Sequence, residues 1–165
     1  MAQSLSSIDE LPHLNIPQQK LNLNLEGDIL KVHDCLRKKY VVLTPEEYVR
    51  QQFVLWLHKE KGYPFSLMAN EIGISLNGTS RRCDSVVFTP GGSPLMIIEY
   101  KAPYISITQD IFDQIVRYNI VLRARFLTVT NGMRAYCCRI NYDCNNYEFL
   151  QEIPNFIEIK NTIIG

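Results

Sequence analysis

The runs Arg82-Cys83-Asp84 and Glu99-Tyr100-Lys101 bring two carboxylates, a guanidinium and an ammonium into one short stretch, with Glu99 fifteen residues past Asp84. Between them lies Thr89-Pro90-Gly91-Gly92-Ser93-Pro94, a dense cluster of turn formers. Ser85 to Phe88 and Leu95 to Ile98 flank it as apolar, strand-like runs. The pattern predicts a β-hairpin with Phe88 opposite Leu95, Val86 opposite Ile97 and Asp84 opposite Glu99. Directly opposed side chains have Cβ atoms about 5 Å apart, and like charges placed so are destabilising. Two full negative charges about 5 Å apart repel by roughly 3 kcal/mol at an effective dielectric of about 20. Such a pair calls for a cation. Lys101, two residues past Glu99, points to the same face of the strand. Three arrangements satisfy the charges: an ion cluster neutralised by Lys101 or Arg82, a carboxylate dyad sharing one proton, and a divalent metal held by both acids with Lys101 left for chemistry.

The elements that must position these groups are legible in outline. Leu21 to Leu25 alternates as an edge strand, and Ile29–His33 with Tyr40–Leu43 reads as a hairpin. Its turn, Arg37-Lys38-Lys39, reads as a solvated basic loop. Thr44-Pro45-Glu46-Glu47 starts a helix, with Thr44 as cap and Glu47 completing a capping box. Val49, Phe53, Trp56 and Leu57 recur at helical spacing, and Gly62-Tyr63-Pro64 ends the helix. Leu67 to Leu76 is a strand with Asn77-Gly78 as its turn. Pro103 stops the strand of Glu99 and Lys101. Ser106 and Gln109 offer a second capping box for a helix over Ile107–Leu122, with Ile111, Phe112, Ile115 and Val116 inward. Phe126–Thr130, Asn131-Gly132 and Met133–Ile140 form a further hairpin, and Tyr147–Ile163 reads as one more strand. The order implies an α/β fold, a mixed sheet flanked by helices behind a small N-terminal β segment. Residues 1–20, polar and interrupted by Pro12 and Pro17, read as a flexible arm, and residues 21–165 as one domain.

Composition narrows the class. The 165 residues are 46% hydrophobic with zero formal net charge, which suits one domain with a real core and gives no long-range attraction to polyanions. Nucleic-acid binding would need a local basic face or another subunit; Arg117, Arg123, Arg125 and Arg134 are candidates for such a face, or simply solvated surface. Cys35, Cys83, Cys137, Cys138 and Cys144 are odd in number and lack paired C-x-x-C spacing, which argues against zinc and a disulfide framework. They fit small buried side chains in a reducing, cytoplasmic setting. No membrane-spanning apolar stretch and no signal segment are present. His13, His33 and His58 show no ligand or triad spacing.

Asp84 followed by Glu99-x-Lys101, on a helix–strand–strand–strand–helix–strand plan, resembles the PD-(D/E)xK nuclease superfamily. Gln114-Ile115-Val116-Arg117-Tyr118 adds a Q-x-x-x-Y on the following helix, similar to the branch with RecB-like nucleases and the type I restriction R subunit nuclease domain. Arg37 to Glu47, Glu99 to Pro103 and Val129 to Gly132 look like the short R-subunit N-terminal-type proteins of bacteria. The resemblance covers residues 29 to 145. Cys83 stands where the motif has Pro. No P-loop is present, so ATP-driven translocation is not expected of this chain by itself.

The resemblance implies a restriction-endonuclease-like core and a magnesium-dependent (or manganese-dependent) endonuclease that hydrolyses DNA. Asp84, Glu99 and the backbone carbonyl of Tyr100 would hold the metal, and Lys101 would orient water or meet the charge developing on phosphate. Gln114 and Tyr118 share a helix face and would contact substrate or a catalytic group. Arg82 would meet a phosphate or pair with an acid. Glu47 would complete the site from the first helix, Glu46 being the other choice. Implied partners are DNA, a separately encoded motor or specificity subunit, and a second copy in a homodimer. The competing reading is a non-catalytic nucleic-acid or protein-binding module on the same fold.

Overall fold

The computed structural model describes residues 5–120 and 122–162, the side chains of Leu76, Thr79, Arg81, Tyr118 and Ile120 set aside. Strands β1 (Leu23–Glu26), β2 (Ile29–Asp34) and β3 (Lys39–Val42) form an antiparallel sheet in chain order. Helix α1 (Pro45–Lys61) follows. Strands β4 (Met68–Leu76), β5 (Thr79–Phe88), β6 (Pro94–Tyr100), β7 (Phe126–Thr130), β8 (Ala135–Asn141) and β9 (Asn146–Phe149) make a six-stranded sheet, also in chain order. Helix α2 (Gln109–Ile120) links β6 to β7, which pair in parallel, while the other neighbours are antiparallel. The sheet is therefore mixed, as the strand–helix–strand step requires.

Alternation along the strands splits the core into two layers. Met96, Ile98 and Tyr100 of β6, with Phe126 and Cys137, pack with Val49, Phe53 and Leu57 of α1. Ile97, Leu127, Val129 and Cys138 pack with Phe112, Ile115 and Val116 of α2. The helices thus cover opposite faces of the sheet. Burial pushes the Cys137 and Cys138 thiols up to about 11 and about 12, so both stay protonated and inert.

Several expectations shift in detail. The β5–β6 register holds at Val86↔Ile97, but a bulge between Val87 and Phe88 sets Phe88 against Pro94 rather than Leu95. Thr44 caps α1 by accepting the Glu47 amide at 3.0 Å, and Gly62 closes the helix at φ 75°. Glu47 does not complete the box, because its carboxylate is committed to Arg37, Arg50 and Gln51. Helix α2 starts later than Ser106 predicts, since Thr108 Oγ1 takes the Ile111 amide at 3.3 Å. Of the strand expected over Tyr147–Ile163, the described residues hold only the short β9, and Ile163 lies outside them. After Pro154, the Glu158 carboxylate accepts the Asn155 amide at 2.6 Å and starts α3 (Phe156–Asn161), a local bond that outweighs the strand preference of its isoleucines.

The segment read as an arm is fastened to the body from Leu5 onward. Leu5 and Leu14 are buried, the Gln19 amide donates to Gln52 Oε1 at 2.7 Å, and the Asn15 amide donates to the Gly132 carbonyl at 2.9 Å. Gly132 stands at φ 80°, which favours glycine, and a Cβ there would meet Leu14 Cδ2 at 2.6 Å, so the Leu14 side chain would have to shift.

Candidate active site

Asp84 sits where two ladders open. Between β4 and β5 the pairing runs Asn70↔Ser85, then Ile72↔Cys83, and skips Glu71, the residue opposite Asp84. Glu71 has a left-handed backbone at φ 54°. Between β5 and β6 the paired residues end at Ser85↔Ile98, one step short of Asp84 and Glu99. Instead of a backbone carbonyl, Asp84 Oδ2 receives the Tyr100 amide at 2.9 Å, the very amide that joins Glu99 to Tyr100. The Asp84 carboxylate is thereby held against the Glu99 strand at the end of the sheet. Glu99 is 9% exposed and shares its side of β6 with Ile97. Lys101 follows directly, half-buried, with its amide donated to the Thr130 carbonyl at 2.9 Å.

The first helix faces this opening. Burial pushes the Glu46 carboxyl up, and the Asp84 charge adds to that, while Arg50 and Lys101 pull it down. Glu46 therefore lies in the field of both Asp84 and Lys101. Glu47 turns to the N-terminal sheet: its Oε1 accepts Arg37 Nη2 at 2.8 Å and Gln51 Nε2 at 2.8 Å. Arg50, only 2% exposed, lies beneath the acids. Its Nη2 donates to Glu71 Oε1 at 2.6 Å and lies 3.8 Å from Asp84 Oδ1. Its Nη1 is 3.3 Å from Glu47 Oε2, near enough for charge pairing but misdirected for a hydrogen bond, and neither Nη1 nor Nε finds a hydrogen-bond acceptor among the described residues. Arg82, largely exposed, ion-pairs with Glu71 through its Nε. The Glu71 carboxyl is disfavoured as an anion by burial, but Arg50 and Arg82 outweigh that and hold it low.

A polar chain continues behind the site. The Tyr100 hydroxyl donates to Ser85 Oγ at 2.9 Å, Ser85 Oγ donates to Asn70 Oδ1 at 2.5 Å, and Asn70 Nδ2 donates to Asp34 Oδ2 at 2.9 Å. Asp34 is fully buried and also accepts the Leu36 and Arg37 amides and Arg37 Nε. Burial alone would raise its carboxyl; the bonds from Asn70 and Arg37 prevail and hold it below the usual carboxylate range. Arg37 is thus no solvated loop residue. It ties the β2–β3 turn to α1, because Asp34 and Glu47 both need a buried cation.

Other sequence candidates sit elsewhere. Gln114 is exposed on α2, and the side chain of Tyr118 lies outside the described residues. Arg123, Arg125 and Arg139 line a polar cleft near the start of β7, the opposite end of the β6–β7 pair from Glu99. Arg117 is exposed on α2, and Arg134 follows the turn at the Thr130 end. Sequence reading missed Arg50, Asn70 and Glu71. The last was reachable: Leu76↔Thr79 closes the Asn77-Gly78 loop, and counting back along both strands sets Glu71 against Asp84.

Among the described residues, no group of three or more His, Cys, Asp and Glu side chains is arranged to hold a metal. A magnesium-type site asks for less, since that ion keeps several waters and binds through one or two carboxylates. Asp84 on β5 and Glu99 on β6 are carboxylates of the type such an ion takes. Asp84 Oδ1 is beyond hydrogen-bond distance of Arg50, and Asp34, Glu46, Glu47, Glu71, Asp84 and Glu99 outnumber Arg37, Arg50, Arg82 and Lys101.

The architecture is that of an α/β protein with a mixed six-stranded sheet, and Asp84 sits where its β4–β5 and β5–β6 ladders open. The model of the family described as type I restriction enzyme R protein N terminus (HSDR_N) matches residues 45–154, and the chain belongs to that family. Comparison with curated proteins and with solved structures finds no match.

Proposed function

We propose that this chain is a metal-dependent nuclease that hydrolyses DNA phosphodiester bonds, one nuclease-like domain on a restriction-endonuclease-like core to which the segment from Leu5 onward is fastened. The observation that carries the reading is the opened ladder around Asp84, whose carboxylate is fixed to the amide following Glu99 with Lys101 next in the chain. The family assignment supports it, and so does the order α1, β4–β6, α2, β7.

In this reading Asp84, Glu99 and the Tyr100 carbonyl hold Mg²⁺ or Mn²⁺, and Glu46 adds negative field from α1. The ion supplies Lewis-acid polarisation of the phosphate and a more acidic water. Lys101 brings a positive charge to the phosphate as negative charge develops there. Arg82, the exposed member of the Glu71 pair, reaches solvent and can meet a neighbouring phosphate. Arg50 stays buried and neutralises the acids from below. Zero net charge leaves substrate capture to local contacts and to partners, for which a separately encoded motor or specificity subunit is the natural class. Zero charge also favours the second reading, a DNA-binding or protein-binding module that no longer cleaves.

The test combines metal binding with cleavage. Mn²⁺ or Mg²⁺ raises the melting temperature of the parent, and Asp84→Asn and Glu99→Gln abolish that rise. Lys101→Ala keeps the rise but lowers cleavage of plasmid or single-stranded DNA by about 10²–10³-fold. Metal binding without cleavage, alone or with partner subunits, selects the binding module. A parent whose melting ignores both ions, and which becomes more stable in the two acid variants, rules out the metal site.

A further inference from the structure

We propose that Glu71 is a positioning residue that sets the affinity of the site for its divalent cation by holding Arg50 off Asp84, an inference that rests on the metal-dependent reading above. Three observations carry it. Glu71 adopts φ 54°, a conformation that residues bearing a Cβ rarely take, and so leaves the β4–β5 ladder opposite Asp84. Its carboxylate then reaches two guanidinium groups, Arg50 Nη2 at 2.6 Å and Arg82 Nε. Finally, Arg50 has donors in reserve. It is buried, its Nε and Nη1 make no hydrogen bond among the described residues, and it stops 3.8 Å from Asp84 Oδ1.

A guanidinium with unused donors beside a carboxylate closes on it unless something holds it back. Charge-assisted bonds to carboxylates are short and strong, and Arg favours them. Here Glu71, on the strand beyond Asp84, takes Nη2 at 2.6 Å, and Glu47 holds Nη1 by charge at 3.3 Å. The restraint keeps Asp84 Oδ1 out of hydrogen-bond reach of Arg50, which still screens the acids at longer range. Without Glu71, Arg50 would bond Asp84 directly, and an incoming ion would have to break that pair.

Two variants test this. Glu71→Gln keeps shape and an acceptor but loses the charge. Glu71→Asn loses reach and charge but tolerates the left-handed backbone. Calorimetric titration of the full chain with Mn²⁺ should give dissociation constants about tenfold weaker in both, equivalent to roughly 1.4 kcal/mol. Melting in EDTA should move far less than the metal affinity does, because Arg50 gains Asp84 as it loses Glu71. A structure of Glu71→Gln should show Arg50 within hydrogen-bond distance of Asp84 Oδ1. Parent-like Mn²⁺ affinity in both variants, or an Arg50 that stays away from Asp84, overturns the proposal while the nuclease reading stands. A parent that binds no Mn²⁺ overturns both.

Discussion

The two main helices cover opposite faces of one sheet and do different work. Helix α2 is an amphipathic cover: Phe112, Ile115 and Val116 point inward, and Gln114 and Arg117 face solvent. Helix α1 buries Val49, Phe53 and Leu57 but also Glu47, Arg50, Gln51 and Gln52. The charged groups on α1 are matched by Arg37 from the N-terminal sheet, Glu71 from β4 and Asp84 from β5. An apolar face needs only area and shape. A charged face must be completed by several distant elements, and this one is completed around the candidate site.

The sharpest way to break the contrast is Arg50→Met. It removes the cation shared by Glu47, Glu71 and Asp84, while Arg37 still pairs with Glu47 and the largely exposed Arg82 with Glu71. Loss of one partner from a buried pair costs about 3–5 kcal/mol, and a loss of that size is expected in urea unfolding with EDTA present. Divalent cation should return part of the stability, since the carboxylates then lack their resident charge. A cost under about 1 kcal/mol would mean that Arg50 is an ordinary surface-type pair.

On the α2 face the matching experiment has the opposite sign. Asn119 is fully buried, and neither end of its amide finds a hydrogen-bond partner among the described residues. Stranding a buried polar group costs about 1–3 kcal/mol, whereas an apolar side chain of similar size carries no such cost. Asn119→Leu should therefore stabilise the protein by about 1 kcal/mol or more, read from the same urea midpoints. Destabilisation would show that the amide has work to do, and the two faces would no longer differ in kind.

The difference between faces also explains what the sequence disclosed. Helix α2 follows from apolar spacing, and its start is misplaced only because Thr108 is a nearer cap than Ser106. The β5–β6 hairpin follows from counting back from the turn, correct at Val86↔Ile97 and off by one only beyond the bulge at Val87. The charged network of α1 left little trace. Glu46 and Glu47 are adjacent, and which of them faces Asp84 depends on where Arg37 lies, a contact made across ten residues by a separate sheet. Arg50 reads as a polar position on an amphipathic helix, and nothing local marks the left-handed backbone of Glu71. Periodicity reports burial of apolar groups; it does not report a buried charge whose partners come from other elements.

The smallest effect concerns Glu46, and it asks whether α1 belongs to the site or merely borders it. Its carboxyl is raised by burial first and by the Asp84 charge second. A carboxyl raised in the folded state holds its proton more tightly there than in the unfolded chain. The stability this gives is present at low pH and is lost as pH rises through the folded value. Glu46→Gln cannot ionise, so it should match the parent near pH 4 and become the more stable protein by pH 7, in EDTA. Partial exposure and solvent screening keep the gain under about 1 kcal/mol. Saturating Mn²⁺ should erase or reverse it, because a cation at Asp84 converts the Glu46 charge from a burden into an attraction. Parallel pH curves for parent and variant in EDTA would place Glu46 outside the field of Asp84. A gain that survives Mn²⁺ would leave the acids on β5 and β6 to hold the ion without help from α1.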